Sequence, residues 1–255
     1  MICKSVNFQP ELPSSWIKPR WPVPKHVHAV CTTRDGGGSS APFNTFNLSD
    51  RVGDNLVAVD NNRAHLIEWL SLPARPVWLR QVHGNTVVDV GKLNGEVEAD
   101  AAMARSPGLV CVVTTADCLP VLFCDRKGSR VAAAHAGWRG LAAGVLEATV
   151  VAMARPADQL YAWLGPAIGS RNFEVGEEVR AVFVEKDPVN SSVFRPSRNA
   201  RWLANIYQLA IHALRAQGVS QIFGGGYCTY SDPKRFYSYR RDKRTGRMAS
   251  LIWMA

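Results

Sequence analysis

Three short, mostly apolar runs, Leu109 to Thr115, Pro120 to Cys124 and Arg130 to Ala134, constrain this chain more than any other feature. The first is rich in Val and Cys and continuously apolar, as a strand is when both faces of its sheet are covered. Between the second and third lies a turn at Asp125 to Ser129, which lets the two runs pair. Cys118 stands just before one of them and His135 just after the other. Paired across that turn, the two strands bring thiol and imidazole to the same end of the sheet. That geometry suits a metal pair or a thiolate–imidazole pair.

The bulk properties frame the reading. A chain of 255 residues with 47% hydrophobic residues can bury a substantial core, and 20% charged residues argues against disorder. The formal charge of +9 favours anionic partners, either phosphate-bearing metabolites or nucleic acid, or else marks a generic basic surface. No helix-turn-helix, RNP motif or zinc finger is present, which points to a small anionic or polar ligand. Met1 to Trp16 lacks the apolar segment of about 7–15 residues that a secretory signal needs. The apolar region Ala132 to Ala154 is interrupted by His135, Arg139 and Glu147, so it does not read as membrane-spanning. The expectation is a soluble, cytoplasmic protein with no membrane partner, whose six cysteines are free thiols.

Along the chain, residues 1–26 form an irregular, proline-rich entry, and Val27 to Thr33 reads as a strand. The glycine-rich loop Arg34 to Ser40 either lets backbone N–H groups approach an anion or is a flexible turn. Asp54 is the expected N-cap of a helix to Leu70, with Leu56, Val59, Leu66 and Leu70 on one face. His65 on that helix is assigned no function. Pro76 to Val90 reads as two strands broken by Gln81-Val82-His83-Gly84-Asn85. A lone histidine such as His83 is usually structural and gains interest only beside Cys118 and His135.

Ala99 to Met103 is a strand, and a helix from about Arg139 to Ala154 points its N-terminus at the proposed site. Arg139 adds charge there, while Trp138 is equally well explained as core. Tyr161 to Leu164 is a buried strand, followed by Gly165-Pro166-Ala167-Ile168-Gly169 and a helix to about Glu185, with Val175, Val179, Val182 and Phe183 inward. Residues 186 to 201 are an exposed connection. Trp202 to Gln217 is an amphipathic helix stopped by Gly218, and Gln221 to Phe223 a strand. The tail interleaves Arg235, Phe236, Tyr237, Tyr239, Arg240 and Arg241, a composition that stacks bases and contacts phosphate. It ends in the apolar Met248 to Trp253, a strand tied into the core, so the tail reads as a pocket wall and a nucleic-acid partner is disfavoured. Without repeats or a strong linker, residues 1–255 read as a single domain.

His83, Cys118 and His135 together offer two imidazoles and a thiolate. That set suits zinc with one open position, a metal-free Cys–His hydrolase, or copper. Asp117 and Glu174 are the nearest carboxylates in sequence, available for proton transfer or for ordinary turn and cap roles.

Several stretches resemble one family. They are Thr32-Thr33-Arg34, Asn47-Leu48, Asn62-Arg63, Gln81-Val82-His83-Gly84, Thr115 to Pro120, His135 to Gly140, Gly165 to Gly169, Phe236 to Arg240 and Thr245 to Met248. The chain is similar from about residue 28 onward to the laccase-domain family, also known as YfiH-type proteins, multicopper polyphenol oxidase-like proteins or purine nucleoside phosphorylases. The resemblance implies a zinc site at His83, Cys118 and His135. It also implies a single α+β domain with mixed sheets packed with helices, of the cytotoxic-necrotizing-factor cysteine hydrolase type. Arg34 and Asn47 are the expected neighbours of the metal. Relatives often carry cysteines in the loop after Gly165-Pro166, where this chain has Ala167, Arg171 and Asn172.

Three activities follow from the resemblance. The first is phosphorolysis of purine nucleosides (adenosine, inosine, guanosine, methylthioadenosine) with adenosine deamination at the same site. Arg34 would hold phosphate, and Tyr237 or Tyr239 would stack on the base. Asp117 and Cys118 would take part in the chemistry, with Arg139 and Arg240 binding substrate. The second is an amidase that removes wrongly incorporated amino acids from UDP-muramyl peptidoglycan precursors, so the small-molecule partner is either a nucleoside plus phosphate or a nucleotide-sugar. Copper-dependent phenol oxidation ranks last, because multicopper centres need about ten histidines and the chain has six.

Overall fold

The computed structural model describes residues 13–93 and 95–255. Its strands are β1 (Val27–Cys31), β2 (Val87–Asp89), β3 (Ala101–Ala104), β4 (Val110–Thr115), β5 (Leu119–Asp125), β6 (Val131–Ala136), β7 (Leu160–Leu164), β8 (Glu174–Val175), β9 (Phe194–Pro196), β10 (Trp202–Ala204), β11 (Gln221–Gly224) and β12 (Met248–Met254). Its helices are α1 (Leu56–Leu70), α2 (Trp138–Ala143), α3 (Val145–Met153), α4 (Glu177–Lys186), α5 (Ile206–Ala216) and α6 (Tyr239–Asp242). A six-stranded sheet runs β11-β7-β5-β6-β3-β2, and two three-stranded sheets run β1-β12-β4 and β8-β10-β9. The large sheet is mixed: β11–β7 and β2–β3 are parallel, while its other pairs are antiparallel. The α+β expectation with mixed sheets therefore holds.

The apolar runs are explained by layering. The β1-β12-β4 sheet packs face to face on the large sheet, with Cys111 and Val113 of β4 against Leu122 and Cys124 of β5 and Ala133 of β6. The alternate residues of β5 and β6 (Val121, Phe123, Ala132, Ala134) point the other way, into a cluster with α3 and α5. The alternate residues of β4 (Val110, Val112) meet Leu66 of α1, Phe46 and Trp16. Every strand of the inner pair thus has two apolar faces, as the period-2 geometry requires.

Several boundaries differ from expectation, each for a local reason. Asn55, not Asp54, caps α1 by accepting from the N–H groups of Val57 (2.9 Å) and Ala58 (3.2 Å), and Leu56 is exposed. Asp54 instead accepts from Asn47 Nδ2 at 2.9 Å. The helix expected over 139–154 is two helices, because Gly144 takes φ +88° and ends α2. The helix expected from Trp202 starts at Ile206. Asn205 accepts from Gln208 N–H as its cap, and Trp202–Ala204 is the central strand of the smallest sheet. Val175 lies on β8 rather than on a helix, and Val182 of α4 is exposed. The connection 186–201 contains a 3-10 turn over Pro188–Val193 and β9. Of the irregular entry, residues 1–12 lie outside the described residues, and residues 13–26 contribute one bridge, Ile17 to Cys31. Among the described residues, no helix is long and apolar enough to cross a membrane.

Candidate metal centre

The β5–β6 register pairs Leu119 with Ala136 and Pro120 with His135, which places Cys118 and His135 at one end of the large sheet. His83 arrives from the loop that precedes β2. The ligand atoms of His83, Cys118 and His135 all lie within 4.8 Å of one another. Cys118 Sγ is 3.8 Å from His83 Nε2, and the two imidazoles meet edge to face with centroids 4.8 Å apart. Tetrahedral zinc bonds to sulfur and nitrogen place such atoms about 3.6 Å apart. A thiolate and two imidazoles at this spacing therefore fit one ion.

Asp100 organises the centre. It is fully buried, and its Oδ1 accepts from His83 N–H (2.9 Å) and from His135 Nδ1–H (2.8 Å). Its Oδ2 accepts from Gly84 N–H (2.6 Å) and Val82 N–H (3.2 Å), and its carbonyl accepts from His135 N–H (2.7 Å). Three successive N–H groups on one carboxylate hold His83 at φ +62°, in the left-handed region that most residues avoid. With Nδ1 donating to Asp100, His135 presents Nε2 to a metal. Burial alone would raise the Asp100 pKa, but the hydrogen bonds and charge of His135 and the N–H groups of Gly84 and His83 hold it below the usual carboxylate range. The sequence reading missed Asp100. Its signal was a lone charge at the head of an otherwise apolar strand.

Cys118 sits on an equally fixed turn. Asp117, at φ +93°, accepts from Thr229 Oγ1 and from Arg240 N–H, each at 2.6 Å, and its carbonyl accepts from Ile168 N–H at 2.9 Å. Both carboxylate oxygens are thereby engaged, so Asp117 positions Cys118 and the tail. Burial opposes ionisation of Cys118, but the positive charge and hydrogen bond of His135, aided by His83, bring the thiol down to about 6. Burial likewise opposes protonation of His135, yet the Cys118 thiolate and Asp100 bring it up to about 9. Without metal, the two opposite shifts arise from one coupling and favour a thiolate–imidazolium pair.

A labelling prediction follows. In metal-stripped protein, iodoacetamide modifies Cys118 with a pH midpoint near 6, slowing as acid protonates the sulfur. Cys31 and Cys124, pushed up to about 12 by burial, stay unreacted, as does the buried Cys111. Zinc loading suppresses the reaction. Peptide mapping checks this, and equal labelling with and without zinc would remove Cys118 from the ligand set.

The centre opens into a cavity of about 550 Å³, whose walls also carry Asp117, Trp138, Arg139, Tyr239 and Arg240. Arg247 is a further wall residue, unassigned from sequence. Burial lowers its pKa against the opposing pull of the Cys118 thiolate and Asp117. Arg34, Asn47 and Tyr237 do not line the cavity, contrary to expectation. Arg34 donates to the carbonyls of Asn44 (3.0 Å) and Pro233 (2.9 Å) and stacks on Tyr237. Tyr237 is fully buried and donates to Phe43 O at 2.6 Å. Asn47 is also buried and supports the wall from behind, accepting from Arg247 N–H at 2.9 Å. The glycine-rich loop turns its N–H groups inward, to Thr45 Oγ1 (3.3 Å) and Asn62 Oδ1 (3.0 Å), so it is no anion cradle. Glu174 is outside the cavity, engaged with Ser197 and Arg201. The helix at the site is the six-residue α2, so its dipole is much smaller than a helix to Ala154 would give.

Residues 28–255 match the family model described as multi-copper polyphenol oxidoreductase laccase. The Pseudomonas aeruginosa and Escherichia coli K12 proteins, each named purine nucleoside phosphorylase, are 55% and 54% identical, covering 94% of this chain and 99% of theirs. A Neisseria meningitidis crystal structure superposes with TM-score 0.91 at 44% identity, over 94% of this chain and 99% of that one. The structure of YlmD from Geobacillus stearothermophilus gives TM-score 0.84 at 30% identity, over 90% and 92%.

Proposed function

The chain belongs to the multi-copper polyphenol oxidoreductase laccase family, and from that premise we propose that it is a zinc-dependent purine nucleoside phosphorylase that also deaminates adenosine. The observation that carries the reading is a three-ligand centre on the floor of a cavity that combines aromatic rings with arginines. The name borne by relatives of 54–55% identity supports it. Zinc bound there would supply a Lewis acid and lower the pKa of a water toward neutrality. The thiolate–diimidazole set suits either metal, and zinc is favoured because phosphorolysis and deamination call for a Lewis acid and no change of oxidation state.

The chain's own residues divide the remaining work. The Arg139 guanidinium is held over the Trp138 ring at 4.5 Å and makes no hydrogen bond to another described residue, so its donor fork is free for phosphate. By contrast, Arg240 spends one nitrogen on Glu174 O, and Arg247 one on the carbonyls of Thr245 and Gly246. Tyr239, exposed at the cavity wall, would stack on a purine. In phosphorolysis a phosphate oxygen bonds to the ribose C1′ while the bond from C1′ to the base breaks. Arg139 would orient that oxygen. Arg139→Ala is expected to raise the KM for phosphate about tenfold, through loss of a charge-assisted contact, with the KM for nucleoside little changed. Initial rates at varied phosphate check this, and equal increases in both constants would count against a phosphate role.

A second reading, the amidase on UDP-muramyl precursors, draws on the Cys118–His135–Asp100 alignment, which matches thiol hydrolases as well as a metal site. The same alignment supports the cysteine hydrolase fold type. Polyphenol oxidation ranks last. Only His83 and His135 reach the centre, while His26, His28, His65 and His212 contact Gly128, Trp253, Trp69 and Asn190. The deciding assay offers zinc-loaded protein adenosine plus phosphate and, separately, a serine-containing UDP-muramyl precursor. Turnover of the second alone would end the nucleoside reading.

A further inference from the structure

On the far side of the loop Ile168–Phe173 lies a second concavity that the metal chemistry does not use. Ile168 and Phe173 line the metal cavity, whereas Gly169, Ser170, Arg171 and Asn172 face away from it, into a hollow of about 530 Å³. A second hollow of about 320 Å³ adjoins the first and shares Ser170, Arg171, Asn205 and Gln208 with it. Each hollow falls in the size range of small-molecule sites.

The lining is one-signed. Arg171 and Arg195 both contribute to the smaller hollow, and no Asp or Glu among the described residues lines either part. Neither arginine makes a side-chain hydrogen bond, ion pair or ring contact with another described residue, unlike Arg180 and Arg201 nearby, which pair with Glu177 and Glu174. His212, in the same wall, donates Nδ1–H to Asn190 Oδ1 at 3.0 Å, so its Nε2 is an acceptor, suited to a ligand hydroxyl and not to a phosphate oxygen. The orientation of Asn190 is fixed, because its Nδ2 donates to Phe183 O at 3.0 Å. The larger hollow is lined differently, by Tyr207, Tyr227, Ile211 and the backbone of Gly224 to Gly226. One end therefore suits an anion and the other a flat ring.

We propose that this groove binds a phosphate-bearing metabolite of nucleotide size, with the phosphate between Arg171 and Arg195 and the ring against the tyrosines. Planar guanidinium forks bind phosphate through paired hydrogen bonds. The site is separate from the metal centre and stands whether or not the phosphorylase reading holds.

Cys228 provides the test, since its thiol lines the larger hollow and accepts from Gly169 N–H at 3.2 Å. The zinc-loaded protein is labelled with N-ethylmaleimide and mapped by peptide mass spectrometry, in buffer, in millimolar AMP and in millimolar adenosine. AMP is expected to slow labelling of Cys228 about tenfold, and adenosine to leave it unchanged. In Arg171→Ala/Arg195→Ala protein the AMP effect should vanish while zinc content and the circular dichroism spectrum are retained, because both side chains are exposed and unpaired. No protection by AMP, equal protection by adenosine, or protection that survives the double substitution would each overturn the proposal.

Discussion

Replacing Asp100 by asparagine should damage the metal centre and the fold together. The two carboxylate oxygens accept four N–H groups, two each, from three backbone positions and one imidazole. An asparagine of nearly the same shape keeps one acceptor and turns its NH₂ on the other pair of donors, whichever way the amide is flipped. Two donors then lose their acceptor in a fully buried position. The expected cost is about 3–5 kcal/mol of stability, as for removal of one partner from a buried charged network. Zinc affinity should also fall about 10–100-fold, because the same oxygens fix the backbone of His83 and the tautomer of His135. Urea unfolding of metal-free protein gives the first quantity, and competition with a chelator the second.

The pH dependence has a definite sign. Asp100 is held below the usual carboxylate range, so its contribution is present above an unfolded value of about 3.9 and is lost as pH falls through the depressed folded value. Wild type and variant should converge in stability in strong acid. A variant that binds zinc as tightly as wild type would show that the histidines need no carboxylate to converge.

The sheet was legible because period and burial agree. The runs around β4, β5 and β6 are apolar at most positions, and both faces of each are in fact covered. The convergence of Cys118 and His135 followed from a local turn, and a short connection constrains register well. The helix limits were less legible. Gly144 and Asn205 decide them by backbone sign and capping, while the hydrophobic spacing runs straight through both. Arg34 and Tyr237 stand away from the cavity wall for a physical reason. Arginine and tyrosine bind carbonyls as readily as substrates, and partners such as Pro233, 199 residues away from Arg34, carry no local signal. Asp100 was overlooked for the converse reason, since a buried carboxylate is costly unless its donors arrive from elsewhere in the chain.

Gly137→Ala separates the metal centre from the fold. Gly137 sits at φ −67°, ψ 160°, a conformation open to any L-residue, so the backbone gives no reason for glycine there. The reason is spatial. A Cβ at this position would lie 2.9 Å from Cys118 Sγ and 3.0 Å from His83 Cδ2, closer than carbon approaches either atom without displacement. The two side chains it strikes are both ligands, so relief of the clash displaces Cys118 Sγ, the His83 ring or both from the separations that fit one ion. Zinc affinity is therefore expected to drop by more than about tenfold, while metal-free stability changes by no more than about 1 kcal/mol. Asp100→Asn should lower both quantities. The contrast tests whether these three side chains converge for the metal alone. If the alanine protein loads zinc normally, the ligands are not held at the separations described, and the centre would have to form by rearrangement on binding. If it loses stability as heavily as Asp100→Asn, the thiolate–imidazole cluster is part of the core and its match to zinc is incidental. Loss of zinc with retained stability is the outcome that the geometry requires.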